Sequence, residues 1–305
     1  MAYLYARLPA SAPPLSIKVE ATEERLVRGR YLFEKVLDCD GCHSQRDFTR
    51  FGGPVIAGGR GAGWVFPPEM GLPGTVAASN ITPDKETGIG NWTDGEKIRA
   101  IREGIGRDGR ALFPMMPYQY FRHLGDEDVQ ALVAYMNGLP PIRIVQPRTQ
   151  LNFPVNLLIK SAPQPAGSVP PPDRGERLKY GEYLFRIAAC GECHTPMEKG
   201  EPAMERYLAG GRRFTIGNAT AVSANITPDP ETGIGRWAEQ QFLEKFYQYR
   251  EYAEQGSPKV GPEGFTLMPW LAYSQWPPED LGAVFVYLKT QKPIHSPVET
   301  HPATL

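Results

Sequence analysis

Apolar residues recur at helical spacing in several stretches of the chain. Over Asp126–Asn137, Val129, Leu132, Val133 and Met136 form one stripe. Pro278–Gln291 repeats it with Leu281, Val284, Phe285 and Leu288, behind prolines that suit a helix start. Two lead-in helices are predicted, over Glu23–Leu37 and over residues 174–189, sharing Tyr-Leu-Phe at 31–33 and 183–185. A further helix follows Trp92: Thr93-x-x-Glu96 is a capping box, with Ile98, Ile101 and Ile105 behind it. Phe242, Phe246 and Tyr249 play that part later in the chain. The pattern predicts an all-α fold. With 31 prolines and 32 glycines, the helices are expected to be short and joined by long, shaped Gly/Pro-rich loops.

The elements come in two sets because the chain is a duplication. Asn80-Ile81-Thr82-Pro83-Asp84 recurs as Asn225-Ile226-Thr227-Pro228-Asp229. Glu86-Thr87-Gly88-Ile89-Gly90-x-Trp92 recurs as Glu231-Thr232-Gly233-Ile234-Gly235-x-Trp237. Ala57-Gly58-Gly59-Arg60 recurs as Ala209-Gly210-Gly211-Arg212, and Met116-Pro117-Tyr118 as Met268-Pro269-Trp270. We expect domains at 22–142 and 174–298, a Pro-rich linker at 143–173, and tails at 1–21 and 299–305. The apolar run Leu151–Ile159 in the linker suggests that it packs against a domain.

Composition narrows the partners. A net charge of −1 over 305 residues gives no reason to expect nucleic acid. No window reaches the ~18 consecutive apolar residues of a membrane span.

The four cysteines lie in two strings, Cys39-Asp40-Gly41-Cys42-His43 and Cys190-Gly191-Glu192-Cys193-His194. C-x-x-C-H attaches a c-type haem: two thiols form thioethers with the vinyl groups of one porphyrin, and the adjacent imidazole binds its iron. The sequence thus predicts two covalently bound haem c groups, on Cys39/Cys42 and Cys190/Cys193. The rival readings are a shared tetrahedral zinc site and a dithiol redox pair. Covalent haem implies a periplasmic protein, so the expected precursor carries an export signal. Ala2–Ala6 followed by Arg7 reads either as the stub of a signal or inner-membrane anchor, or as a loose tail.

His43 and His194 supply one axial ligand each, and methionine opposite would raise the potential. Met116 and Met268 are the candidates. Each precedes Pro and an aromatic residue, and they lie 77 and 78 residues after Cys39 and Cys190. Met115 competes with Met116, but the repeat register favours Met116. His123, His295 and His301 are read as surface histidines. Asn80, Asn225, Trp92 and Trp237 are suited to donate to haem propionates, or to brace the loops that hold them. Arg60 and Arg212 are propionate candidates on the same argument.

The succession C-x-x-C-H, NITPD-x-ETGIG-x-W, RDGR-x-L-x-P-x-MPY (Arg107 to Tyr118) and D-x-x-A-L-x-A-Y resembles the cytochrome c subunits of membrane-bound alcohol and gluconate dehydrogenases. That resemblance implies two tandem cytochrome c domains, each of a few short helices around one haem. It also implies a periplasmic electron carrier, with no catalysis of its own, between a dehydrogenase or quinol-linked donor and a respiratory acceptor. The axial pairs carry over as His43/Met116 and His194/Met268. The sequence departs in having two motifs where such subunits often have three. It also has Val260–Gly264 in place of the RDGR stretch in the second copy. The alternative is a dihaem redox enzyme, such as a peroxidase or thiosulfate-oxidising cytochrome, with one labile sixth ligand.

Overall fold

The computed structural model describes residues 8–198 and 200–302, so the candidate stub at 2–6 lies outside the described residues. The chain divides into two compact units. Unit 1 comprises residues 1–45 and 55–171, and unit 2 comprises residues 46–54 and 172–305.

In unit 1, α1 (Glu23–Tyr31) starts at Thr22, whose hydroxyl accepts from Arg25 N–H. Its acidic first turn and basic last turn complement the helix dipole. The helix continues through a single π turn, Leu32–Val36, and after Asp38 the chain forms α2 (Cys39–His43). Two-residue strands β1 (Trp64–Val65), β2 (Gly74–Thr75) and β3 (Ala77–Ala78) follow. Next come α3 (Asp94–Glu103), α4 (Tyr118–Phe121) and α5 (Asp126–Asn137). The capping box forms as read: Glu96 N–H donates to Thr93 Oγ1 at 3.2 Å, and Thr93 N–H to Glu96 Oε2 at 2.7 Å. Packing of α1 on α5 is close because Gly29 has no side chain; a Cβ there would lie 1.9 Å from the Ala131 carbonyl oxygen. Leu32, Phe33, Val36, Leu132 and Val133 fill the core beneath this crossing.

Much of the linker belongs to unit 1. β4 (Gln150–Leu151) pairs antiparallel with β2, and Leu151 packs against the Phe66–Val76–Ala78 cluster. The rest of the apolar run is not buried: Phe153 is 79% exposed and Leu158 54%.

Unit 2 repeats the plan with α7 (Arg177–Ile187), α8 (Cys190–His194), α9 (Glu239–Tyr247), α10 (Arg250–Gln255), α11 (Trp270–Tyr273) and α12 (Pro278–Lys289); α6 (Val155–Leu158) is a short linker helix in unit 1. Gly181 performs the Gly29 role, its Cβ position lying 1.9 Å from Ala283 O. A hairpin of Arg213–Ile216 with Ala219–Val222 turns at Gly217-Asn218. Residues 46–54 complete this unit. Phe51 stacks on Tyr249 at 4.7 Å and donates its backbone N–H to Pro258 O at 2.9 Å. Phe48 packs with Ala219, Ala221, Phe265 and Leu267.

Helices dominate both units, but the all-α expectation needs amendment. The Gly/Pro loops run extended past one another, and short antiparallel ladders pair their backbone groups. Alternation was absent from the sequence because most of these strands are two residues long.

Candidate cofactor centres

Each C-x-x-C-H string forms one helical turn, which sets both cysteines on one face, three residues apart. The residue before each turn is left-handed: Asp38 at φ 44° and Ala189 at φ 53°. Its carbonyl then caps the turn, accepting from Gly41 N–H at 2.8 Å and from Glu192 N–H at 2.9 Å. None of the four cysteines is in a disulfide. Burial pushes the Cys190 thiol up to about 12 and the Cys39 thiol well above its ordinary value, so both stay protonated at neutral pH.

The lead-in helices reach these turns by different routes. Leu37 N–H bonds Leu32 O at 2.9 Å, five residues back, whereas Ala188 N–H bonds Leu184 O at 2.9 Å, four back. Copy one has one more residue between Phe33 and Cys39 than copy two has between Phe185 and Cys190. The π turn absorbs it. There Glu34 is buried beside the Tyr135 hydroxyl, which donates at 2.5 Å, and Arg60 Nη1 at 2.7 Å.

Both imidazoles are oriented by backbone. His43 Nδ1 lies 2.8 Å from Ser79 O, and His194 Nδ1 lies 2.7 Å from Ala224 O. A carbonyl only accepts, so Nδ1 carries the proton and Nε2 is left as the ligand atom. Burial lowers both imidazole pKa values, against the opposing carbonyl bond, and favours this neutral form. The carbonyls of the same histidines accept from Gly63 N–H at 2.7 Å and Gly210 N–H at 2.8 Å.

That last pair corrects the repeat register. Ile81 N–H bonds Gly61 O, and Ile226 N–H bonds Leu208 O. Gly61 and Leu208 share φ near 70°, at 75° and 65°. Gly61-Ala62-Gly63 is therefore the structural counterpart of Leu208-Ala209-Gly210, and the AGGR match misaligns Arg60 with Arg212. Arg60 pairs with Glu34 and, through Nε at 3.0 Å, with Asp40 Oδ2. Arg212 pairs with Glu192, on both the side chain at 2.7 Å and the backbone carbonyl. The two arginines brace different sides of their attachment turns.

The methionine loops do match. Pro117 (φ −81°, ψ 50°) and Pro269 (φ −76°, ψ 57°) are each the centre of an inverse γ-turn. Tyr118 N–H closes it on Met116 O at 2.8 Å, and Trp270 N–H on Met268 O at 2.7 Å. Met115 packs against the Phe66–Val76–Ala78 cluster, as do Cys42 and Phe113. Its counterpart Leu267 packs against Ala219–Ala221–Phe265. The position before each Met-Pro is thus an apolar wall position in both copies.

Asn80 and Asn225 are loop hubs. Asn80 Oδ1 accepts from Thr82 N–H at 2.9 Å and Thr82 Oγ1 at 2.7 Å, while Nδ2 donates to Thr87 Oγ1 at 3.1 Å and Ile142 O at 2.7 Å. Asn225 repeats this on Thr227 at 2.9 and 2.8 Å, Thr232 at 3.0 Å and Ile294 at 2.8 Å. Both N–H bonds of each amide are engaged inside the loop, which leaves the propionate reading without a donor there. Trp92 and Trp237 are half-buried, just ahead of α3 and α9. His295 stands 3.7 Å from Asp229 and 3.6 Å from Glu231 at the surface, and His301 contacts Thr300. His123 is half-buried after α4.

The sequence offered no signal for Gly63, Gly210 or Glu34. Gly63 sits outside the obvious repeats, Gly210 lies in the AGGR repeat but is matched there to Gly58, and Glu34 looks like any helix-surface carboxylate.

Among the described residues no three His, Cys, Asp or Glu side chains gather as a metal site. Two thiols set one helical turn apart, an imidazole that presents Nε2 and an apolar wall suit covalent haem. The cytochrome c family profile matches residues 26–140. The chain is 30% identical over 286 residues to the cytochrome c subunit of a quinone-dependent alcohol dehydrogenase of Gluconobacter oxydans, covering 89% of this chain and 55% of that one. It is 35% identical to the fructose dehydrogenase cytochrome subunit of Gluconobacter japonicus, covering 86% and 52%. The chain therefore spans about half the length of these curated relatives. A diheme cytochrome c-type protein of Cereibacter sphaeroides is 30% identical over 225 residues, covering 66% of this chain and 74% of that one. Motif geometry and sequence likeness converge, and the chain belongs to the cytochrome c family, whose cofactor is covalently bound haem c.

Proposed function

We propose that the chain is a dihaem electron carrier, with one haem on Cys39 and Cys42 and another on Cys190 and Cys193. His43 with Met116, and His194 with Met268, are its axial pairs. The reading rests on the near-identical local geometry of the two copies: attachment turn, imidazole–carbonyl bond, His-carbonyl to glycine bond and Met-Pro γ-turn. A bound haem supplies a one-electron iron couple. The chain's own residues anchor it, hold each imidazole neutral and correctly turned, and wall off its apolar edge.

The relatives' printed names, cytochrome subunits of dehydrogenases, support a dehydrogenase-linked donor; delivery to a respiratory acceptor is part of the proposal. Residence in the periplasm and attachment to the inner membrane belong to this proposal. No helix among the described residues is long and apolar enough to cross a membrane.

The test is a haem count with an absorption spectrum and redox titration. Two haems per chain, a weak near-infrared Met–iron band and two resolved one-electron steps are expected. A large ferric spectral change with peroxide or cyanide, without the near-infrared band, would replace this reading with the peroxidase-like one.

A further inference from the structure

We propose that Asn80 and Asn225 are positioning residues for the axial imidazoles, acting through the carbonyl of the residue before each. This rests on His43 and His194 being the iron ligands. Each Nδ1 is held by a main-chain oxygen, Ser79 O or Ala224 O, so the length and angle of that bond follow the 79–80 or 224–225 peptide plane.

That peptide lies outside regular structure. β3 ends at Ala78, and the second hairpin ends at Val222. What fixes it is the side chain on its far end. Asn80, 2% exposed, ties the peptide forward to Thr82 and Thr87 and across to Ile142, just beyond α5. Asn225, 5% exposed, does so with Thr227, Thr232 and Ile294, just beyond α12. The returning strand is tied back: Ile142 N–H donates to Thr82 Oγ1 at 3.1 Å, and Ile294 N–H to Thr227 Oγ1 at 3.1 Å. The network closes on itself in both copies, although the loops and arginine braces around it have diverged.

The chemistry follows from the imidazole. A short, straight Nδ1–H to carbonyl bond gives the ring anionic character and strengthens its donation to ferric iron, which lowers the potential. Releasing the peptide weakens that bond.

The test uses the full holoprotein with Asn80→Ala and Asn225→Ala, each copy serving as the other's control. Midpoint potentials of both haems are measured, with the exchange rate of each axial Nδ1 proton by NMR. Asn80→Ala is expected to raise the potential of the first haem and speed exchange at His43, leaving the second unchanged; Asn225→Ala should do the reverse. If Asn80→Ala does not fold, Thr87→Val removes one acceptor of its amide and should give a smaller shift of the same sign. A lower melting temperature with potentials and exchange at wild-type values would leave the amides as scaffold only and overturn the proposal. The ligand assignment is checked separately: a wild-type spectrum without low-spin histidine ligation fails that reading before any variant is made.

Discussion

Gly63 donates its backbone N–H to the carbonyl oxygen of His43 across 2.7 Å. It does so at φ +85°, with a Cβ position only 2.6 Å from Ala78 O. An L-residue there meets both a left-handed backbone and a collision with main chain. Gly63→Ala is expected to lower stability by about 2–4 kcal/mol and to reduce haem on the first motif only. Gly210, at φ +73° with its Cβ position 2.5 Å from Ser223 O, should behave likewise on the second. Thermal unfolding and haem-per-chain ratios read both.

Met116→Leu and Met268→Leu should each remove about half of the near-infrared Met–iron absorbance and lower the potential of their own haem, because a thioether ligand raises it. Met115→Leu, which reproduces what copy two has at Leu267, should leave the band intact. A band lost with Met115→Leu instead would move the ligand one residue back.

Glu34 gives unit 1 an acid-sensitive element. Burial alone would raise its carboxyl, but the Tyr135 hydroxyl with Arg60, Arg30 and Lys35 outweighs burial and holds it below its ordinary 4.5. A depressed carboxyl stabilises the fold above its unfolded value, and that contribution is lost as pH falls through the folded value. Arg60 is 39% exposed, so screening limits its share, and Glu34→Gln should cost about 1–2 kcal/mol at pH 7. The gap to wild type should close below about pH 4.5 in urea unfolding followed across pH. Burial raises Asp40 and the Glu34 charge raises it further, so the two carboxyls are coupled, and the same comparison in an Asp40→Asn background isolates the Glu34 contribution.

Phe51 holds residues 46–54 in unit 2 by stacking on Tyr249 at 4.7 Å and meeting Tyr252 edge-on at 5.7 Å. Phe51→Ala should cost about 1–3 kcal/mol, below a full core truncation because the ring is half-buried. Faster hydrogen exchange at Phe51 and Val260, whose N–H groups bond Pro258 O and Thr49 O, is the local readout.

Helices were the most legible part of the chain. α5 runs Asp126–Asn137 as the Val129–Met136 stripe predicts, and α3 begins where Thr93 and Glu96 cap it. Ile105 and Tyr249 lie past the helices predicted to contain them, because Gly104 is left-handed at φ 72° and Gln248 ends α9. The two C-x-x-C-H turns and the two Met-Pro γ-turns were legible because each recurs with the same residue types at nearly the same spacing. Gly63 was not, since a single glycine among 32 carries no positional signal until His43 O finds it. Arg60 and Arg212 misled because identity over four residues outscored the shorter true match, Ala62-Gly63 with Ala209-Gly210. The docking of 46–54 in unit 2 depends on contacts more than 170 residues apart, such as Phe51 with Tyr249 and Phe48 with Ala219, which no local pattern encodes.

The π turn at Leu32–Val36 makes the distance from helix start to porphyrin anchor an adjustable length. The surplus residue is taken up in one wide turn, so Val36 and Ile187, each three residues ahead of its first cysteine, both end fully buried. Deleting Lys35 should therefore convert the first lead-in into an ordinary α-helix like the second without turning the cysteines away. Ancestral copies of such a module can drift in length ahead of the anchor while the anchor itself stays in phase.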